Sequence, residues 1–121
     1  MVTAVTALVS SLFTLSLDPE DFPAFQSLVG EIVAATAKEP GTLIYEYSVN
    51  AEKTVAHIFE RYQADAVTSH VDITFAPFAE RFLALVKITA LTVYGNPDAE
   101  VRKRLDPFCA VYMEPFGGFS R

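Results

Sequence analysis

The chain is 121 residues long, carries a net charge of −6 and is 51% apolar, with a mean hydropathy of +0.29. That length suits one domain over residues 1–121, built on one core. An isoelectric point near 4.7 argues against a surface for nucleic acid or anionic membrane, since both need a basic patch. So much apolar sequence in a small chain implies that a second copy covers part of it, and a homodimer is expected.

The single cysteine, Cys109, has no partner for a disulfide within the chain, which points to the cytoplasm. Its neighbours Phe108, Ala110 and Val111 predict a buried thiol. Arg102-Lys103-Arg104 reads as a solvated helix face. Met1 to Leu17 is apolar enough for a leader, but no basic residue precedes Lys38, and threonines and serines interrupt the run. Phe13, Leu15 and Leu17 alternate with Thr14 and Ser16, so a strand over Leu8 to Leu17 is predicted.

Asp18-Pro19-Glu20-Asp21 starts a helix, with a carboxylate cap and a first-turn proline. Phe22, Phe25, Leu28, Val29, Ile32 and Val33 form its apolar face, and Glu39-Pro40-Gly41 stops it. Leu43 to Val49 and Thr54 to Tyr62 are predicted strands around a four-residue loop, Asn50 to Lys53. Gln63 to His70 reads as a short helix. Asp72 is then expected to cap another, whose Phe75, Phe78, Phe82 and Leu85 form an apolar stripe. Ile88 to Tyr94 is a further strand. Residues 96–121 form a C-terminal extension: a helix from Asn96-Pro97 to Leu105, a strand over Phe108 to Met113, and a tail. The order β-α-β-β-α-β is that of a ferredoxin-like α+β fold.

Pairing outward from the four-residue loop sets Val49 against Thr54, Tyr47 against Ala56, Tyr45 against Ile58 and Leu43 against Glu60. Tyr45, Tyr47, Glu60 and Tyr62 then share one sheet face. Ile44, Glu46, Ser48, His57, Phe59 and Arg61 share the other, with Glu46 opposite His57. His70 is either a hydrogen-bonded structural histidine or a group folded back toward Glu60 and the tyrosines. Glu60 is a surface residue, an ion-pair partner of Arg61 or Arg81, or an acid in a pocket. An acid, a base and phenols converging on apolar surface suit proton removal from a phenol or enol. No metal-ligand spacing, phosphate loop or nucleophile elbow is present in the sequence.

Glu39-Pro40-Gly41, Tyr45, Phe59-Glu60-Arg61-Tyr62, Ala66 and His70 together resemble the signature of the antibiotic biosynthesis monooxygenase (ABM) domain family. Val93-Tyr94-Gly95-Asn96-Pro97 and Pro115-Phe116-Gly117-Gly118-Phe119 are similar to its quinol-monooxygenase-like branch. The resemblance implies a dimeric α+β barrel made of two ferredoxin-like protomers. It also implies a small quinol, anthrone or polyphenol oxidised by O2, with neither cofactor nor metal. On it, His70 is the catalytic base or hydrogen-bond donor, Glu60 its orienting or proton-accepting partner, and Tyr45 a substrate contact. Tyr47 and Tyr62 join the substrate-binding set on the facing argument alone. Haem-degrading relatives rely on a pocket tryptophan, and this chain has none. An isomerase-like proton shuttle and a non-catalytic binding protein are the alternatives.

Overall fold

The computed structural model describes residues 8–121, so the first seven residues of the segment weighed above as a leader lie outside the described residues. The remainder of that segment is a strand, β1 (Leu8–Leu17). Its odd-numbered residues, among them Val9, Leu15 and Leu17, are buried in the core, with Phe13 packed beside them. Asp18 caps a single tight turn over Pro19–Asp21 by accepting from the Glu20 amide at 2.9 Å. Helix α1 (Phe22–Thr36) follows, with Pro23 tolerated in its first turn. Phe25, Leu28, Ile32 and Thr36 are its buried face, whereas Val33, expected there, is 37% exposed.

Strands β2 (Thr42–Val49) and β3 (Val55–Gln63) form the hairpin, in a register two residues from the expected one. Val49 pairs with Ala56, Tyr47 with Ile58 and Tyr45 with Glu60, while Glu46 lies opposite Phe59 and His57 opposite Ser48. The cause is Asn50. Its Oδ1 accepts from the amides of Thr54 (2.9 Å) and Val55 (3.0 Å), which draws Thr54 out of the strand and lengthens the loop. A shift of two keeps the alternation of sides, so Tyr45, Tyr47, Glu60 and Tyr62 still share a face. The expected Glu46–His57 pair does not form.

The crossover also departs from expectation. In place of two helices, residues 64–78 run through a 3-10 turn, one α turn (Val67–Ser69), a π turn (His70–Phe75) and another 3-10 turn before α2 (Ala79–Leu85). Asp72 caps nothing. Its carboxylate instead pairs with Arg104 at 2.6 Å. Strand β4 (Val86–Tyr94) lies antiparallel to β1, with a bulge that leaves Thr89 extra. Helix α3 (Ala99–Leu105) is capped by Asp98, whose Oδ1 accepts from the Val101 amide, while Asn96 donates to Glu114. Strand β5 (Val111–Met113) adds parallel to β4. It is shorter than expected because Asp106–Phe108 forms a tight turn that ends in a left-handed Cys109 at φ 57°. Cys109 is exposed there, not buried.

The result is an α+β, ferredoxin-like sheet in the order β2-β3-β1-β4-β5, with helices packed on one face. The opposite face carries Val55, Tyr94, Val111 and Met113 as exposed apolar side chains. Among the described residues no helix is long and apolar enough to cross a membrane.

Candidate functional site

Four of the five site residues expected from sequence, Tyr45, Glu60, Tyr62 and His70, meet between the sheet and the crossover. β2 supplies Tyr45, β3 supplies Ile58, Glu60 and Tyr62, and β1 supplies Ser11 and Phe13. The crossover closes the far side with Val67, His70 and Phe75, and residues 105–108 close one end with Leu105 and Phe108. The space between them is about 90 Å³ and its walls are largely apolar. Among the described residues, no cluster of three or more His, Cys, Asp or Glu could hold a metal ion.

His70 is 4% exposed and begins the π turn, a backbone irregularity that often marks functional sites. Its ring packs against Tyr45 (centroids 5.2 Å apart) and Tyr62 (5.4 Å). Its Nδ1 lies 2.9 Å from Oε1 of Glu39. A carboxylate only accepts, so Nδ1 carries the hydrogen, and the tautomer that this bond selects has its lone pair on Nε2. Glu39 is held in turn by the hydroxyls of Thr42 (3.1 Å) and Thr74 (2.8 Å). The imidazole is thus oriented by a carboxylate that is itself fixed, the arrangement a general base needs.

The sequence resemblance assigns that orienting role to Glu60, and the local pattern reads Glu39 as a helix stop. In the structure Glu60 bonds the Tyr62 hydroxyl and Glu39 bonds His70, so the hydrogen-bond partner of the His70 ring is Glu39, and the proton-accepting alternative for Glu60 stands as an expectation. What brings Glu39 within reach is Gly41. A Cβ there would stand 2.6 Å from the Ala66 Cβ, so only glycine lets the start of β2 approach the crossover so closely. The Glu39-Pro40-Gly41, Ala66 and His70 pattern therefore encodes one contact. Glu60 pairs with neither Arg61, which bonds Ser10 and Ser120, nor Arg81, which bonds Glu31.

Glu60 is buried, and burial pushes its carboxyl up from 4.5 to about 7, against the Tyr62 hydrogen bond and aided by the nearby charge of Glu39. Burial and the Glu60 charge raise Tyr45 and Tyr62 far above the ordinary phenol range. Those phenols stay protonated, and Glu60 near neutrality is poised between donor and acceptor. Tyr47 does not line the pocket. It stands behind Tyr45, the two hydroxyls 2.8 Å apart, and burial raises it as well. Two groups of this region were not singled out as site residues in the sequence, Glu39 and Phe108; Glu39 stood there only as part of the helix stop and of the family signature.

No sequence-family model and no curated protein matches the chain. Solved structures share its fold. MupZ from Pseudomonas fluorescens superimposes with a TM-score of 0.85 at 23% identity, covering 98% of this chain and 93% of that one. A mutant of SnoaB from Streptomyces nogalater, a cofactor-independent oxygenase, gives 0.63 at 15% identity, covering 77% of this chain and 96% of that one. A candidate antibiotic biosynthesis monooxygenase from Caulobacter crescentus gives 0.63 at 22% identity, covering 74% and 87%. The chain has the ABM fold.

Proposed function

We propose that the chain is a cofactor-independent monooxygenase that oxidises a small quinol, anthrone or polyphenol with O2. The observation that carries this reading is a base, His70, oriented by Glu39 inside an apolar pocket that also holds Glu60 near neutrality. Nε2 of His70 takes a proton from the substrate. Low dielectric strengthens the hydrogen bonds that Glu60 and Tyr45 offer to the oxygen of the resulting anion. That electron-rich anion combines with O2, His70 returns the proton to the peroxide, and loss of water leaves a new carbonyl. Counted on the keto tautomer, in which the reacting ring carbon of an anthrone or a quinol is a CH2, one CH2 and one O2 become one C=O and one H2O. SnoaB, which shares the fold, is a cofactor-independent oxygenase, and this supports the assignment.

A second reading rests on the same pair of groups. Glu60 near 7 and an oriented His70 also suit moving a proton between two positions of an enolisable substrate without oxygen, as an isomerase does. Oxygen uptake by metal-stripped protein on a panel of hydroquinones and anthrones decides between the two, run beside deuterium exchange into enolisable ketones. Uptake above autoxidation that is lost in His70→Ala supports oxygenation. Exchange without uptake replaces it with the proton shuttle. Neither activity, with ligand still bound, leaves a binding protein.

The working unit is taken to be a homodimer closed by the open sheet face. Val55, Tyr94, Val111 and Met113 are exposed on that face, and a second copy would bury them. Sedimentation of Val111→Lys should show monomer where the unaltered chain is a dimer. A dimer unaffected by the change would move the interface elsewhere. The exposed free thiol of Cys109 suits a reducing compartment, the cytoplasm.

A further inference from the structure

The pocket as it stands is smaller than the ligands its chemistry suits. An apolar cavity of about 150 Å³ holds one benzene ring, whereas the space here is about 90 Å³. An aromatic ring buried wholly within this space therefore requires a lining side chain to move. Ile58, Tyr62, Val67, Phe82 and Leu105 are buried and locked into the core, so displacing them would disturb close packing on every side. Phe108 differs. It is 38% exposed, while the other lining residues are buried or half-buried, so it marks where the pocket meets solvent.

The backbone beneath Phe108 is pinned on both sides. Leu105 is buried before it, and the Tyr112 hydroxyl donates to Oδ1 of Asp106 at 2.6 Å. The Cys109 amide closes the turn onto the Asp106 carbonyl at 3.0 Å. Only the ring is left to move. Its aromatic contact with the pocket wall is a single edge-on pair with Phe13, centroids 6.3 Å apart. Exposed side chains of this kind change rotamer on the picosecond to nanosecond scale.

We propose that Phe108 is the door and the size filter of the pocket: its ring swings off Phe13 to admit a ligand, and its bulk selects single-ring phenols over fused three-ring ones. The inference rests on the pocket proposed above as the substrate site and narrows its substrate class to single-ring hydroquinones.

Calorimetric titration without oxygen separates this filter from the chemistry. Phenol, 1-naphthol and 1-anthrol would be titrated into the unaltered chain, Phe108→Ala, Phe108→Leu and Phe116→Ala. Phe116 is fully exposed elsewhere on the surface and controls for loss of apolar area. The unaltered chain should favour phenol. The anthrol-to-phenol affinity ratio should rise about tenfold or more in Phe108→Ala, rise partway in Phe108→Leu, and stay unchanged in Phe116→Ala. A ratio that stays flat in both Phe108 variants while phenol still binds overturns the filter and leaves the proposed function standing. Binding of no probe by any of the four proteins overturns both. Since Phe108→Leu keeps an apolar residue at the turn, misfolding of the alanine variant does not decide the matter.

Discussion

The two faces of the β2–β3 hairpin carry the same kinds of side chain in contrasting surroundings. Glu46 and His57 stand on the open face, exposed, with no side-chain hydrogen bond to another described residue. Glu60, on the opposite face, is 6% exposed, and it shares the pocket with His70, the chain's other histidine. Chemical type is therefore not what distinguishes the two sets. Burial is: it moves the Glu60 carboxyl toward neutrality, and the Glu39 contact fixes which His70 nitrogen keeps its lone pair. A carboxyl ordinary in water acquires a raised proton affinity when a sheet and a crossover close over it.

The sharpest way to break this comparison is to remove each histidine in turn. His70→Ala should lower turnover by about 10²- to 10⁴-fold, the range for loss of a general base. His57→Ala should stay within about twofold, as expected for an exposed group away from the pocket. Oxygen uptake or deuterium exchange, whichever the chain supports, reads both. Equal losses would show that burial does not separate the two faces.

The acid pair gives the next largest effect, in stability. Glu60 holds its proton to about 7 in the folded chain, against 4.5 ordinarily. Between those values the folded state binds more protons than the unfolded state, so stability falls as pH rises through this window and levels above it. The loss should reach about 3 kcal/mol. Glu60→Gln should flatten that slope, because the amide stays neutral and still accepts from Tyr62. Urea unfolding at pH 5 and pH 8 measures it. A slope that persists in Glu60→Gln would place the titration elsewhere.

A smaller loss is expected at Glu39. Glu39→Ala leaves the His70 Nδ1 hydrogen and the hydroxyls of Thr42 and Thr74 without their acceptor, at a cost of about 1–3 kcal/mol. Turnover should fall with it, since Nε2 is no longer aimed, and Glu39→Asp should recover less than Glu39→Gln if reach matters more than charge. Glu46→Ala on the open face should change stability by less than about 0.5 kcal/mol. Denaturation midpoints of the four variants test the contrast.

How much of this was legible depends on the distance over which each feature is set. The side alternation of Tyr45, Tyr47, Glu60 and Tyr62 survived a wrong register because alternation depends only on parity. The pairing itself was not legible. It turns on where the Asn50 side chain places two hydrogen bonds, and one residue decides whether Thr54 belongs to strand or loop. The Glu39–His70 contact spans a whole hairpin, so no local pattern reveals it. Once the fold is known, the steric demand of Gly41 against Ala66 explains it. The π turn at His70 and the left-handed turn at Cys109 were hidden for a different reason. Apolar spacing records which residues are buried, not how many backbone atoms close each hydrogen-bonded ring.

The least effect, and the finest division within the buried face, concerns Tyr45 and Tyr47. Their hydroxyls are 2.8 Å apart, so removing either loses the same hydrogen bond, worth about 1 kcal/mol. Tyr45 alone lines the pocket and packs against the His70 ring. Tyr47→Phe should therefore lower stability by that amount and leave turnover within about threefold. Tyr45→Phe should lower stability equally and also reduce kcat/KM by about tenfold, the worth of one hydrogen bond to a bound substrate. Steady-state kinetics beside unfolding curves separate the two. Matching kinetic losses in both variants would make the phenol pair a single unit acting on substrate, with Tyr47 setting the Tyr45 hydroxyl from behind.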